Sequence, residues 1–361
     1  GNLENPNASR GQIIELDGTH AGGLEGIVRR AYDGTDLPVD ETDVDTAQIT
    51  TRDIDRGEHD HFLMKEIGEA PTSFRKTLRG RVVDQGGGPV VRLGPEILSD
   101  EMRADLRSGT TERVLVIGQG TAAVAGESLA AALADLLPER GIIARAVPAT
   151  ELSGFSLRAD MSDTLVVAIS QSGTTTDTNR TVDLVKARGA RVVAIVNRRN
   201  SDLTDRADGV LYTSDGRDVE MSVASTKAFY SQIAAGMLLG EALAQACGVG
   251  DPDRRTRLLR ALQDLPALMR DLLGDEARIA EAASTHAPPR RHWAIVGNGR
   301  NRIAAAEIRI KLSELCYKSI ACDATEDKKH IDLSSEPLVL VCAAGLEGGN
   351  AADVAKEVEI Y

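Results

Sequence analysis

The sequence predicts an α/β protein built as two doubly wound parallel-sheet lobes, the second of them incomplete. Two observations carry this. From residue 113 to residue 248, short apolar runs alternate with helix-length segments. Strands that are apolar throughout and separated by helices belong to parallel sheets covered on both faces. At residue 292 the rhythm restarts. "HWAIVGNGRNRIAAAEIRIKLSELCY" repeats the plan of "RVLVIGQGTAAVAGESLAAALADLL": strand, G-x-G, alanine-rich helix, with Gly118 and Gly120 answered by Gly297 and Gly299. Internal similarity of this kind marks two copies of one unit.

Each element follows in order. Residues 1–60 read as an acidic, turn-rich connector with one strand at "GQIIEL". Residues 61–100 are a helical lead-in. "HFLMKEIGEAPTSFRKTLRG" is helical with a break near Pro71, where a backbone donor is missing, and "GGGPVVRLGPEILS" is a loop. The first lobe, 101–250, contains the strands "RVLVIG", "GIIARAVPA", "TLVVAIS", "ARVVAIVN" and "GVLYTS". Its helices are "AAVAGESLAAALADLL", "DTNRTVDLVKARG" and "VASTKAFYSQIAAGMLLGEALAQACG". Residues 251–288 form a helical linker. The second lobe, 289–361, has the repeated strand and helix, a further strand at "PLVLVCAAG" and a helix at "NAADVAKEVEIY". It holds fewer strands than the first, hence its incompleteness.

Composition narrows the function. Apolar residues make up 42% of the chain but aromatics only 3%, so the cores are built from Ala, Val, Leu and Ile. A net charge of −13 argues against nucleic acid or an anionic membrane as partner. It leaves room for a small phosphorylated ligand, because backbone amides and hydroxyls hold a phosphate without cationic side chains. Cys247, Cys316, Cys322 and Cys342 form neither a CxxC pair nor a zinc or disulfide spacing, which fits a reduced cytoplasm. No apolar run approaches the ~18 residues of a membrane span, and the first residues lack the order of a signal peptide.

The densest chemistry lies in "SQSGTTTDTN" (170–179), where a strand hands over to a helix. Ser170, Ser172, Thr174, Thr175 and Thr176 surround Gly173. One helix cap needs one hydroxyl, and Thr176 or Asp177 suffices. The excess predicts a phosphate cradle at a helix N-terminus. It is not a Walker loop, which needs GK[ST]. The G-x-G at 118–120 has Ala123 in the third position of a dinucleotide fingerprint, but no acid until Glu151, which is late. It reads better as a tight turn that sets Thr121 at the same sheet edge. Ser225 and Thr226 in "VASTKAF" pair hydroxyls at another helix start. In "EIRIKLSEL", Glu307, Lys311 and Glu314 share one helical stripe, either a solvated ion-pair ladder or a candidate general base at a cleft rim. "EHDH" (58–61) has no further ligand cluster to make it a metal site, and His330 stands alone in a loop.

"LVVAISQSGTTTDT", "VASTKAF" and "MKEIGEAPTSFRKTLRGR" together resemble the isomerase half of the glutamine–fructose-6-phosphate aminotransferase (glucosamine-6-phosphate synthase) family, over residues ~58–345. That half consists of two sugar isomerase (SIS) domains, which are flavodoxin-like three-layer αβα lobes. The resemblance implies that Ser170, Gln171, Ser172 and Thr175 hold a sugar phosphate with Thr121 beside them, and that Val223 and Ser225 line the sugar. It implies Glu314 as the base moving a proton between C1 and C2, Lys311 one turn earlier, and His330 as the ring-opening residue reaching a neighbouring subunit. It further implies fructose 6-phosphate as substrate, a preceding glutaminase domain, a homodimer, and no metal or redox cofactor. The chain departs from the family at Ala122, where a serine is usual, at Ala70, where glutamine is usual, and at Ile331-Asp332, where Gly-Pro follows the histidine. No position matches the family's imine-forming C-terminal lysine, or the cysteine nucleophile of the glutaminase. Two alternatives stay open: a phosphosugar sensor that binds without turnover, and a related sugar-phosphate isomerase or deglycase.

Overall fold

The computed structural model describes residues 12–41, 54–328, 330 and 333–361. It divides into two units, Gly1–Thr50 and Thr51–Tyr361. Much of the acidic run of the expected connector, 42–53, and the Ile331-Asp332 departure lie outside the described residues.

In the first unit the expected strand is present as β1 (Gln12–Leu16), but two more join it. β2 (Ile27–Ala31) and β3 (Asp36–Leu37) complete an antiparallel sheet of order β1-β2-β3. Alternation fails to announce β2, because its centre is Arg29-Arg30. Cross-strand charge holds it instead: Arg30 contacts Glu15 at 2.9 Å and Asp36 at 3.1 Å.

The second unit opens with α1 (Phe62–Leu78), which runs unbroken through Pro71. The expected break does not occur. Ala70, Pro71, Phe74 and Leu78 are all buried as α1 packs on neighbouring helices, and that packing outweighs one lost ladder bond. The expected loop at 86–99 instead supplies β5 (Pro89–Val91), which pairs with β4 (Val82–Asp84) just before it in a hairpin closed by "QGGG". An unforeseen helix, α2 (Asp100–Ser108), is capped by Ser99, whose hydroxyl accepts from Met102 N at 3.3 Å.

The first lobe then alternates as expected. Its elements are β6 (Arg113–Gly118), α3 (Thr121–Leu136), β7 (Ile143–Pro148), the single turn α4 (Ala149–Glu151), β8 (Thr164–Ser170), α5 (Thr176–Lys186), β9 (Arg191–Val196), α6 (Asp202–Arg206), β10 (Gly209–Tyr212) and α7 (Lys227–Ala246). The sheet is parallel, of order β10-β9-β8-β6-β7. Counted from β6 this is 2-1-3-4-5, the flavodoxin-like order, whose direction of winding reverses between β6 and β8. Every residue of β8 is buried. Leu165, Val167 and Ile169 join one core layer with α3 and α7, while Val166 and Ala168 join the opposite layer with Val182 and Leu203. This period of two places helices on both faces.

α8 (Pro252–Leu273) and α9 (Glu276–His286) follow. The second sheet comprises β11 (Trp293–Gly297), β12 (Ile320–Asp323) and β13 (Leu338–Cys342), with α10 (Arg300–Cys316), α11 (Thr325–Lys328) and α12 (Gly348–Ile360). Its order, β12-β11-β13, is again 2-1-3. β12 was not foreseen: "IACD" is too short to show alternation. Among the described residues the core cluster here holds Ile295, Ala305 and Ile320 with a rim of partly buried neighbours, and Ala294, Val296 and Val354 are also buried.

Candidate functional site

In an open doubly wound sheet, loops diverge at the point where the winding reverses and leave a crevice beyond the carboxyl ends of the strands. Here that point is β6/β8. A cavity of about 170 Å³ lies there, lined among others by Gln119, Thr121, Ser170, Gln171, Ser172, Thr175, Ser225 and Gln232. Drug-sized ligands fill ~300–1,000 Å³, so the space suits one compact group such as a phosphate rather than a nucleotide. Among the described residues no lysine or arginine lines it.

The loop Ser170–Thr175 is shaped by its own hydroxyls. Ser170 Oγ accepts from Gly173 N at 3.0 Å and lies 3.4 Å from Thr175 Oγ1. Ser172 Oγ accepts from Thr174 N at 3.2 Å and meets Thr174 Oγ1 at 2.9 Å. Gly173 has φ +68°, and a Cβ there would collide with the Ser201 side chain. Its carbonyl is held by Asn179 Nδ2 and Leu203 N, each at 3.0 Å. The cap of α5 is Thr175, not Thr176 or Asp177, and its hydroxyl makes no capping bond. The first amides of α5 and the Thr175 hydroxyl therefore remain available to an anion.

The sequence-derived residues separate into three groups. Thr121, Ser170, Gln171, Ser172, Thr175 and Ser225 meet at the cavity. Ser225 is tied back to Glu220 at 2.9 Å, and the other oxygen of Glu220 accepts from Thr226 N at 2.7 Å and Ala228 N at 3.0 Å at the start of α7. α7 thus begins at Lys227 and not at Val223, which is 96% exposed and does not line the cavity. Lys311 and Glu314 lie on α10, 3.0 Å apart. His330 is exposed, 3.9 Å from Glu326.

One residue links the first two groups. Glu307 is buried, accepts from Thr121 Oγ1 at 2.9 Å, and lies 3.6 Å from Lys311. A line of polar contacts therefore runs from the cavity wall through Thr121, Glu307 and Lys311 to Glu314. Burial pushes the Glu307 carboxyl above the ordinary carboxylate range, against the pull of Lys311 and the Thr121 hydroxyl. Its place on the charged stripe is legible in sequence, but its burial against α3 is not. Gln119 and Gln232 were also missed as cavity residues. Among the described residues no group of three or more His, Cys, Asp or Glu could hold a metal ion, and no helix is long and apolar enough to cross a membrane.

Comparison with known proteins agrees with the fold. Residues 110–242 match the SIS domain family. The chain is 37% identical over 279 residues to a glutamine–fructose-6-phosphate aminotransferase (isomerising) of Mycobacterium tuberculosis, covering 76% of the chain and 42% of that protein. It is 33% identical over 292 residues to the protein of that name from Gloeobacter violaceus, covering 79% of the chain and 45% of the relative. The chain thus spans less than half the length of the curated relatives it matches. Among solved structures, the C-terminal domain of glucosamine-fructose-6-phosphate aminotransferase from Francisella tularensis superposes with a TM-score of 0.73 at 22% identity, over 85% of this chain and 82% of that one. A tagatose-6-phosphate ketose/aldose isomerase from Escherichia coli superposes with a TM-score of 0.63 at 18% identity, over 83% of this chain and 78% of that one. At these identities the superpositions establish the fold, and the sequence match assigns residues 110–242 to the SIS domain family.

Proposed function

We propose that the β6/β8 cavity binds the phosphate of fructose 6-phosphate, and that in the full-length protein this chain carries out the isomerase half of glucosamine 6-phosphate synthesis. The observation that carries the reading is a crevice at the topological switch point lined by five hydroxyls and, among the described residues, no cation, beside the free amides of α5. The aminotransferase relatives support the choice of substrate.

The chemistry follows from the ligand. The ring-opened ketose condenses with ammonia at C2 and loses water to give an imine. A base removes a proton from C1, and the electron pair moves to make the enaminol. The proton returns to C2 while C1 becomes the aldehyde. One carboxylate that accepts and returns the same proton serves both steps, and Glu314 takes this role. Lys311, 3.0 Å away, holds the charge of that carboxylate. His330 opens the ring, acting across a dimer in the site of the neighbouring subunit. A preceding glutaminase domain supplies the ammonia.

The test is ammonia-dependent turnover of fructose 6-phosphate by the full-length protein and its Glu314→Gln variant. Turnover is expected to fall by ~10²-fold or more in the variant, and equal rates would remove Glu314 from the mechanism. A second reading, binding without turnover, is favoured by Glu314 lying outside the cavity lining. Calorimetric binding of hexose phosphates with no product from the wild type would select it.

A further inference from the structure

Gln232 projects from α7 into the cavity lining, is 2% exposed, and its Oε1 has no donor among the described residues. A buried amide oxygen left without a donor is a cost to folding. None of the neighbouring hydroxyls donates to it: Ser170 and Thr175 lie 3.4 Å from each other, Thr121 donates to Glu307, and Ser225 donates to Glu220.

We propose that Gln232 is a specificity-determining residue, whose buried amide oxygen selects a phosphate ester that carries a hydroxyl over a simple alkyl phosphate that carries none. The proposal rests on the reading of the cavity as a phosphate-ester site, and adds a rule for which esters fit. The rest of the crevice offers donors, which suit the phosphate oxygens. The dianion of a simple alkyl phosphate has only acceptors and leaves Gln232 Oε1 unsatisfied. A carbohydrate hydroxyl donates to it and removes the folding cost on binding. Discrimination through a buried polar group that needs a partner is stronger than discrimination by shape.

Removing the amide separates this role from a structural one. In Gln232→Leu the orphan oxygen is gone, so thermal stability is expected to hold or rise. Affinity for fructose 6-phosphate is expected to fall about tenfold, while affinity for methyl phosphate changes less than about twofold. Gln232→Met, with an unbranched side chain of similar length, repeats the test if the leucine packs poorly. Calorimetry on the whole chain with both ligands reads all of this. Equal losses for both ligands would make the amide a phosphate donor and overturn the selection rule. Unchanged binding of both would remove Gln232 from the site. A wild type that binds neither ligand would overturn the phosphate-site reading beneath the proposal.

Discussion

The two lobes turn the same corner and use it differently. Gly120 has φ 55°, ψ −129°, and Gly299 has φ 56°, ψ −129°, so the backbone leaves β6 and β11 along one path. A Cβ on Gly118 would meet the Ala122 backbone at 2.8 Å, and one on Gly297 the Asn301 backbone at 2.5 Å. Strand pairing sets Ile117 beside Ala168 and Val296 beside Val341. By that register Ser170-Gln171-Ser172 of the first lobe correspond to Ala343-Ala344-Gly345 of the second. The hydroxyls are gone, and the crevice is spanned instead: Asn301 Nδ2 donates to Ala344 O at 3.0 Å, and Ala344 N donates to Asn301 Oδ1 at 3.1 Å. Asn301 occupies the position of Ala122, which lines the open cavity. A binding site at a switch point thus depends on side chains that leave the crevice open, since the strand order alone produced both an open crevice and a spanned one.

The comparison extends to the cores, and there the largest effects are expected. Ile195 sits in a core built from many elements, whereas Ile295 is one of three buried residues in its cluster. Ile195→Ala is expected to cost about 3–5 kcal/mol and Ile295→Ala about 2 kcal/mol, because a thin core collapses more readily around a cavity. Urea denaturation measures both. Native-state hydrogen exchange sharpens the contrast: Ile295→Ala should speed exchange in β11, β12 and β13 while β8 stays protected. Loss of protection in both lobes would show that they unfold as one.

Exchanging the crevice residues comes next. Ala122→Asn places the spanning side chain in the open lobe, beside Gln171 and Ser172. Affinity for fructose 6-phosphate is expected to fall about tenfold or more, with stability nearly unchanged, as read by calorimetry. Asn301→Ala should cost only about 1 kcal/mol, because its two hydrogen bonds are close to solvent. Undiminished affinity in Ala122→Asn would mean that the ligand does not enter between β6 and β8.

The sequence reveals most where local pattern and tertiary role coincide. β8 is buried on both faces and reads as an uninterrupted apolar run, and the hydroxyl excess at 170–176 stands out because capping cannot account for it. It fails where long-range packing decides. Pro71 stays helical because α1 is held by its neighbours, and β2 forms through Arg30 pairing across strands. Glu307 and Gln232 are ordinary residues of helical stripes until α3 and the cavity close over them. A residue's distance from solvent depends on segments more than a hundred positions away, as the contact of Glu307 with Thr121 shows.

That contact carries the smallest expected effect and the finest test of how the lobes communicate. Burial raises the Glu307 carboxyl above its ordinary value of 4.5, with Lys311 and Thr121 opposing. The folded state then binds this proton more tightly than the unfolded chain does. Below pH ~4.5 both states are protonated and the contribution to stability is complete; it is lost as pH rises through the folded-state value. Glu307→Gln keeps a neutral polar side chain beside Thr121 and cannot ionise. The variant should therefore gain stability relative to wild type as pH rises above about 4.5, a change of slope measured by urea midpoints. The opposite trend, a variant that loses ground as pH rises, would show that Lys311 and Thr121 prevail over burial. Glu307 would then join the lobes as an anion, and the ion pair with Lys311 would bind α10 to the wall of the cavity.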